Sequence, residues 1–149
     1  FATYLYEITN NHKDLVNELY HKILSFNKNN ILYDNIDSDF IETKAQNFDH
    51  PYPSSVSLAE MAILRSKIIL DEQYDYNIDY LAPLNHDFSN LCSFIKNGNF
   101  YIIKSKDITD FNKFPLNSII VYSDKFELCY KNSCRQFNNF DELLKNIKN

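Results

Sequence analysis

The stretch Asp49-His50-Pro51-Tyr52-Pro53-Ser54-Ser55-Val56-Ser57, running straight into Leu58–Leu70, sets the organisation of the chain. Pro51 and Pro53 push their predecessors toward extended geometry and stop a helix from starting early. Ser54 can cap the helix that follows, and Ser57 with Glu60 offers a competing capping box one turn later. The spacing puts Leu58, Met61, Ala62, Ile68 and Ile69 on the buried side of that helix, with Glu60 and Lys67 outward. So apolar a girth predicts a central element.

Working outward toward the N-terminus, residues 1–27 predict a helical hairpin. Phe1, Leu5 and Ile8 share one face of the first helix, and Asn10-Asn11-His12 makes a short polar turn. Leu15, Leu19, Ile23 and Phe26 form a stripe at helical spacing in the second. A connection this short implies antiparallel neighbours. Residues 28–53 are irregular and polar, with one β-like island at Ile31-Leu32-Tyr33.

Toward the C-terminus, a weaker helix is predicted from Glu72 to Tyr80 and another from Asp87 to Asn97. Phe88, Leu91, Cys92 and Ile95 form the stripe of the second. The one glycine of the chain, Gly98, falls just past its end, where a left-handed backbone is needed. Beyond Gly98 the period changes from 3.6 to 2. Phe100–Lys104 reads as a strand, Asp107–Lys113 as a short helix and Ser118–Tyr122 as a second, parallel strand. Lys125–Tyr130 alternates as a third. Asn139 with Glu142 caps a last helix whose Leu143, Leu144 and Ile147 face inward. The expected fold is α+β and predominantly helical: antiparallel helix pairs over 1–97, then a small β-α-β-β-α segment over 98–149 packed on them.

Composition removes several function classes. At 149 residues and 44% hydrophobic, the chain is long enough for one domain with a real core. A net charge of −5 argues against nucleic acid as a partner, because that surface must be basic. Lysines are dispersed among carboxylates, so no membrane-binding patch is expected. No apolar run reaches the roughly 20 residues of a membrane-spanning helix. With one glycine there is no phosphate-cradling loop, so P-loop and dinucleotide chemistry are excluded. No G-x-S-x-G elbow supports a hydrolase triad. Because the chain opens on Phe1 within a predicted helix, it reads as a piece of something longer.

Three cysteines are few for a disulfide-stapled secreted domain, so a cytoplasmic protein with reduced thiols is expected. Cys129 and Cys134 flank a turn-like Lys131-Asn132-Ser133. They can meet as a disulfide, supply half of a zinc site, or stand as a structural thiol pair. No second cysteine pair and no nearby histidine completes a metal site, so no metal and no cofactor is expected. Cys92 sits on a core stripe.

Three stretches, in order, resemble the C-terminal region of the thioredoxin-domain-containing, spermatogenesis-associated-like proteins, a family of unknown function. Leu5-Tyr6-Glu7-Ile8-Thr9, with a helix opening at Asp14-Leu15, is similar to its "LYEAT-x-D-xx-L" hairpin. Asp49 through Ser57 is similar to "D-x-A-x-P-S-G-N-S", matching at Asp49, Pro53, Ser54 and Ser57. Cys129-Tyr130-Lys131-Asn132-Ser133-Cys134, followed by Asp141-Glu142-Leu143, is similar to "C-R-N-F-T-C-Q-P-P…EEL". Ser55-Val56 departs from Gly-Asn, and Arg135-Gln136-Phe137 departs from the proline stretch.

The resemblance implies the last helices of an α/α toroid like that of sugar epimerases and six-hairpin glycosidases. An N-terminal thioredoxin-like domain and the remaining toroid helices would then be its missing partners. In such a ring the loops entering inner helices line the mouth, which makes Asp49 and His50 candidate acid–base residues. Ser54, Ser57 and Tyr52 would bind a small carbohydrate beside them. Capping alone also explains Asp49 and the serines. A non-catalytic structural or protein-interaction module is the competing function. A truncated ring would leave Leu5, Ile8, Leu15 and Leu19 exposed and drive self-association, with the piece inactive in isolation.

Overall fold

The computed structural model describes residues 1–29, 31–35, 41–46, 54–73, 100–108, 110–115, 117–130 and 133–147. The helices expected over Glu72–Tyr80 and Asp87–Asn97, together with Cys92 and Gly98, lie wholly or mainly outside them. Helices α1 (Ala2–Thr9) and α2 (Lys13–Ser25) form the expected hairpin. Asn10 and His12 both take left-handed backbone in its turn, a conformation asparagine tolerates because its short side chain can bond locally. Two short strands, β1 (Asn27–Lys28) and β2 (Ile31–Leu32), follow as a small antiparallel pair.

Helix α3 (Ser55–Leu70) starts where Ser54 caps it. The main sheet comprises β3 (Tyr101–Lys104), β4 (Ser118–Val121), β5 (Phe126–Tyr130) and β6 (Ser133–Phe137), in the order β4-β3-β5-β6. Strands β3 and β4 run parallel with Tyr101 opposite Ser118. Strand β5 runs antiparallel to β3, and β6 antiparallel to β5. The helix expected over Asp107–Lys113 shrinks to a single 3-10 turn, Phe111–Lys113. Pro115 accounts for its end, since it holds Phe114 in extended geometry. Helix α4 (Phe140–Asn146) opens as expected, with Asn139 Oδ1 accepting from the Glu142 amide at 2.9 Å.

The sheet is the core, and this overturns the predominantly helical, toroidal architecture expected from the sequence. Leu64 and Ile68 of α3 pack with Phe100, Ile102, Ile119, Val121 and Cys129 on one face. Leu143 and Ile147, from α4 and its end, pack with Tyr101, Ile103 and Leu128 on the other. A third cluster of Ala2, Tyr6, Val16 and Ile69 fastens the hairpin to α3. Helices therefore cover a mixed sheet from both sides, and α3 is central because it lies on strands. Strands buried on both faces read as continuous apolar runs such as Ser118-Ile119-Ile120-Val121, all buried.

A second correction concerns which way the helices face. The stripe Phe1, Leu5, Ile8 does not point inward; α1 instead buries Ala2, Thr3, Tyr6 and Glu7. Ile8 is 61% exposed and Glu7 only 4%. In α2 the buried residues are Val16 and Tyr20, while Leu19 is exposed. In α3, Ile68 and Ile69 are buried as expected, but Glu60 is buried and Leu58 is exposed. The third surprise is β6: its exposed Ser-Cys-Arg-Gln carries no apolar alternation, so only its pairing with β5 identifies it.

Candidate functional site

Of the residues proposed as a sugar site, Asp49, His50 and Tyr52 lie outside the described residues. Ser54 and Ser57 are described, and both are buried. Ser54 Oγ accepts from the Ser57 amide at 3.2 Å and lies 3.0 Å from Ser57 Oγ. The structure brings these two serines together as the N-terminal cap of α3, which satisfies one of the amides left over at a helix start. The competing start at Ser57 is not used.

The two cysteines are joined. Cys129 and Cys134 face each other across β5 and β6 and form a disulfide, which replaces the reduced pair expected from the cysteine count. Strand alternation puts residue 127 on the same face as residue 129, and Glu127 Oε1 lies 3.7 Å from Cys129 Sγ. Lys104 Nζ pairs with Glu127 at 3.0 Å and reaches Asp71 at 3.9 Å. Gln136 Nε2 donates to the other Glu127 oxygen at 3.4 Å. Cys129 is buried against the α3 face of the sheet, whereas Cys134 is exposed. Glu127 was absent from the sequence-based candidates, although its i, i+2 spacing from Cys129 on a strand carried the signal.

A buried ion pair is the other arrangement the sequence did not reveal. Arg65 of α3 donates from Nε to Glu7 Oε1 at 3.1 Å and from Nη2 to the same oxygen. The second Glu7 oxygen accepts the Ile120 amide at 3.2 Å, and the Glu7 carbonyl accepts the Tyr122 hydroxyl at 3.0 Å. Strand β4 is an edge of the sheet, so among the described residues no further strand meets the Ile120 amide. Glu7 takes the place of that strand. Burial pushes the Glu7 carboxyl above its usual range, and the Arg65 charge pulls part of the way back. Burial likewise raises the Tyr6 and Tyr122 hydroxyls, whose rings meet edge to face at 5.9 Å. These groups are engaged with one another in a way that builds the fold.

An opening beside them is apolar. A groove of about 440 Å³ is bounded by Tyr4, Ile23, Leu58, Ala59, Met61 and Ala62, with Arg65 at its rim. The Arg65 guanidinium lies 4.2 Å from the centre of the Tyr4 ring, a cation–π contact that orients the tyrosine across the opening. Comparison of the chain with protein-family models, with curated proteins and with solved structures finds no match. Among the described residues, no helix is long and apolar enough to cross a membrane.

Proposed function

We propose that this chain is a non-catalytic protein-interaction module that pairs its helical face with a second copy of itself. The observation that carries this reading is the inversion of its helices. Glu7 and Glu60 are buried while Tyr4, Ile8, Leu19 and Leu58 are exposed. Glu7 is held inside by Arg65 and the Ile120 amide, which leaves Ile8 outside, and such exposed apolar side chains gain free energy when a second copy covers them. The groove supplies both halves of a self-complementary contact. Leu58 protrudes at 54% exposure beside the small Ala59 and Ala62, as a two-fold interface with one patch on each side requires.

Covering each half-exposed apolar side chain is worth about 1 kcal/mol, counted once per copy. Light scattering at tens of micromolar is expected to show a dimer or larger species. Leu58→Glu should return it to a monomer without loss of helicity, since the residue already faces solvent. A wild-type chain that stays monomeric and binds no apolar dye overturns the second-copy reading. It would point instead to the occupant that the family resemblance implies, a thioredoxin-like domain. The cytoplasmic placement belongs to the same proposal, and it means that cellular reductant works against the Cys129–Cys134 bond.

A further inference from the structure

We propose that reduction of the Cys129–Cys134 disulfide turns this end of the β5–β6 hairpin into a site for a thiophilic divalent cation of the zinc class, held by Cys129 Sγ, Cys134 Sγ and a Glu127 carboxylate oxygen. The three ligand atoms already lie within 4.8 Å of one another. A metal bonded to sulfur at about 2.3 Å and to oxygen at about 2.1 Å, at a tetrahedral angle, holds those two atoms roughly 3.6 Å apart. Cys129 Sγ and Glu127 Oε1 are 3.7 Å apart in the bonded state. Two sulfurs on one metal need roughly 3.8 Å between them. Breaking their bond frees the exposed Cys134 side chain to rotate outward to that separation, while Cys129 stays fixed among Leu64, Ile68 and Ile102.

The chemistry balances. A dithiol reductant gives two electrons and two protons; its own thiols close to a disulfide while the Cys129 Sγ–Cys134 Sγ bond opens to two thiols. Metal binding then releases both thiol protons to solvent, because only thiolates ligate. The ligand set carries three negative charges, against two positive charges on the ion and one on Lys104, which already pairs with Glu127. Such neutrality lowers the burden of holding two thiolates beside a carboxylate in a half-buried place. The fourth position opens at the exposed Cys134 and takes water, as in zinc sites with three protein ligands. Oxidation and metal binding exclude each other, since both use the same two sulfurs.

The test uses the full chain, reduced with a phosphine and titrated with Co²⁺ as a spectroscopic stand-in. One Co²⁺ per chain, with thiolate-to-cobalt charge-transfer absorption that Zn²⁺ displaces, is the expected result; the oxidised chain should show none. Glu127→Gln should weaken Zn²⁺, measured by competition with a chromophoric chelator, roughly tenfold or more. Cys134→Ser, on an exposed edge strand, should abolish the charge-transfer band while the far-ultraviolet spectrum stays unchanged. A reduced wild type without the band overturns the proposal. So does equal binding by the oxidised chain, or a Glu127→Gln chain that binds as tightly as wild type.

Discussion

Replacing Arg65 with methionine removes the one cation that contacts Glu7 among the described residues while keeping most of the side-chain volume. In wild type, Glu7 is 4% and Arg65 6% exposed, so neither charge is solvated by bulk water. Leaving one member of a buried pair alone costs about 3–5 kcal/mol. For a chain of this size that lowers Tm by roughly 6–20 °C. The loss depends on pH. The Glu7 pKa is already raised by burial, and without Arg65 it rises further. A group with a raised folded pKa contributes stability that is fully present below its unfolded value and is lost as pH rises through the folded one. The deficit of Arg65→Met relative to wild type should therefore be smallest in acid, where a neutral Glu7 needs no cation, and grow toward neutral pH.

Urea titrations of both proteins across that range measure the deficit. The double variant Glu7→Leu, Arg65→Met completes the cycle. It should be less destabilised than Arg65→Met alone, because no charge is left unpaired. It still carries about 1–3 kcal/mol for the orphaned Ile120 amide. A deficit below about 1 kcal/mol, or one that does not change with pH, would mean that packing alone is lost and that the pair does not carry the electrostatic role assigned to it.

Two further outcomes concern other contacts. Ser54→Ala removes the cap that meets the Ser57 amide and should cost about 1–2 kcal/mol in urea unfolding; no change would mean that α3 can start at Ser57. Burial and a hydrogen bond to Glu72 push the Tyr20 hydroxyl up to about 12. Tyr20 therefore adds stability that is whole below the ordinary tyrosine range and lost as pH climbs from about 10 to about 12. Tyr20→Phe should remove one late-ionising tyrosine from the alkaline ultraviolet titration, and an unchanged curve would show that Tyr20 ionises normally.

Local signals were legible where a single residue type carries one mechanism. Ser54 before α3, the polar turn at Asn10-Asn11-His12 and Asn139 before α4 all act as their chemistry predicts. The parallel pairing of β3 with β4 was visible because a connection long enough to cross over separates the two strands, although the helix expected in it is only a 3-10 turn. What failed was the choice of face. Helical periodicity ranks faces by apolarity, and on α1 that ranking favours Phe1, Leu5 and Ile8 over Tyr6 and Glu7. The winning face depends on Arg65, 58 residues away, and on an amide of β4, 113 residues away. No window along the chain contains those partners. Strand β6 was hidden for a related reason: its side chains are largely exposed, so its place comes from the backbone ladder with β5 and not from a pattern of burial.

The sheet edge explains why the helices face as they do. An uncovered β4 would present the Ile120 amide to whatever approaches, and open edges of this kind pair with other chains. Glu7 closes the edge only if α1 rolls its acidic face onto β4. Arg65 can then reach Glu7 only if α3 turns that residue inward too. Turning Glu7 inward leaves Ile8 outside on α1, whereas Leu58 lies about two turns before Arg65 on the same side of α3 and is exposed beside the same groove. On α1 the exposed Ile8 and the sealed sheet edge are thus two results of one choice. The variants tie them together. Glu7→Leu with Arg65→Met releases the constraint on α1, so it should weaken self-association through Ile8 as well as alter stability, although neither residue is among the exposed apolar side chains. Light scattering of the double variant beside Leu58→Glu tests that link. Full association in the double variant would show that the helix faces are set by apolar packing in the third cluster, and that the knot only follows.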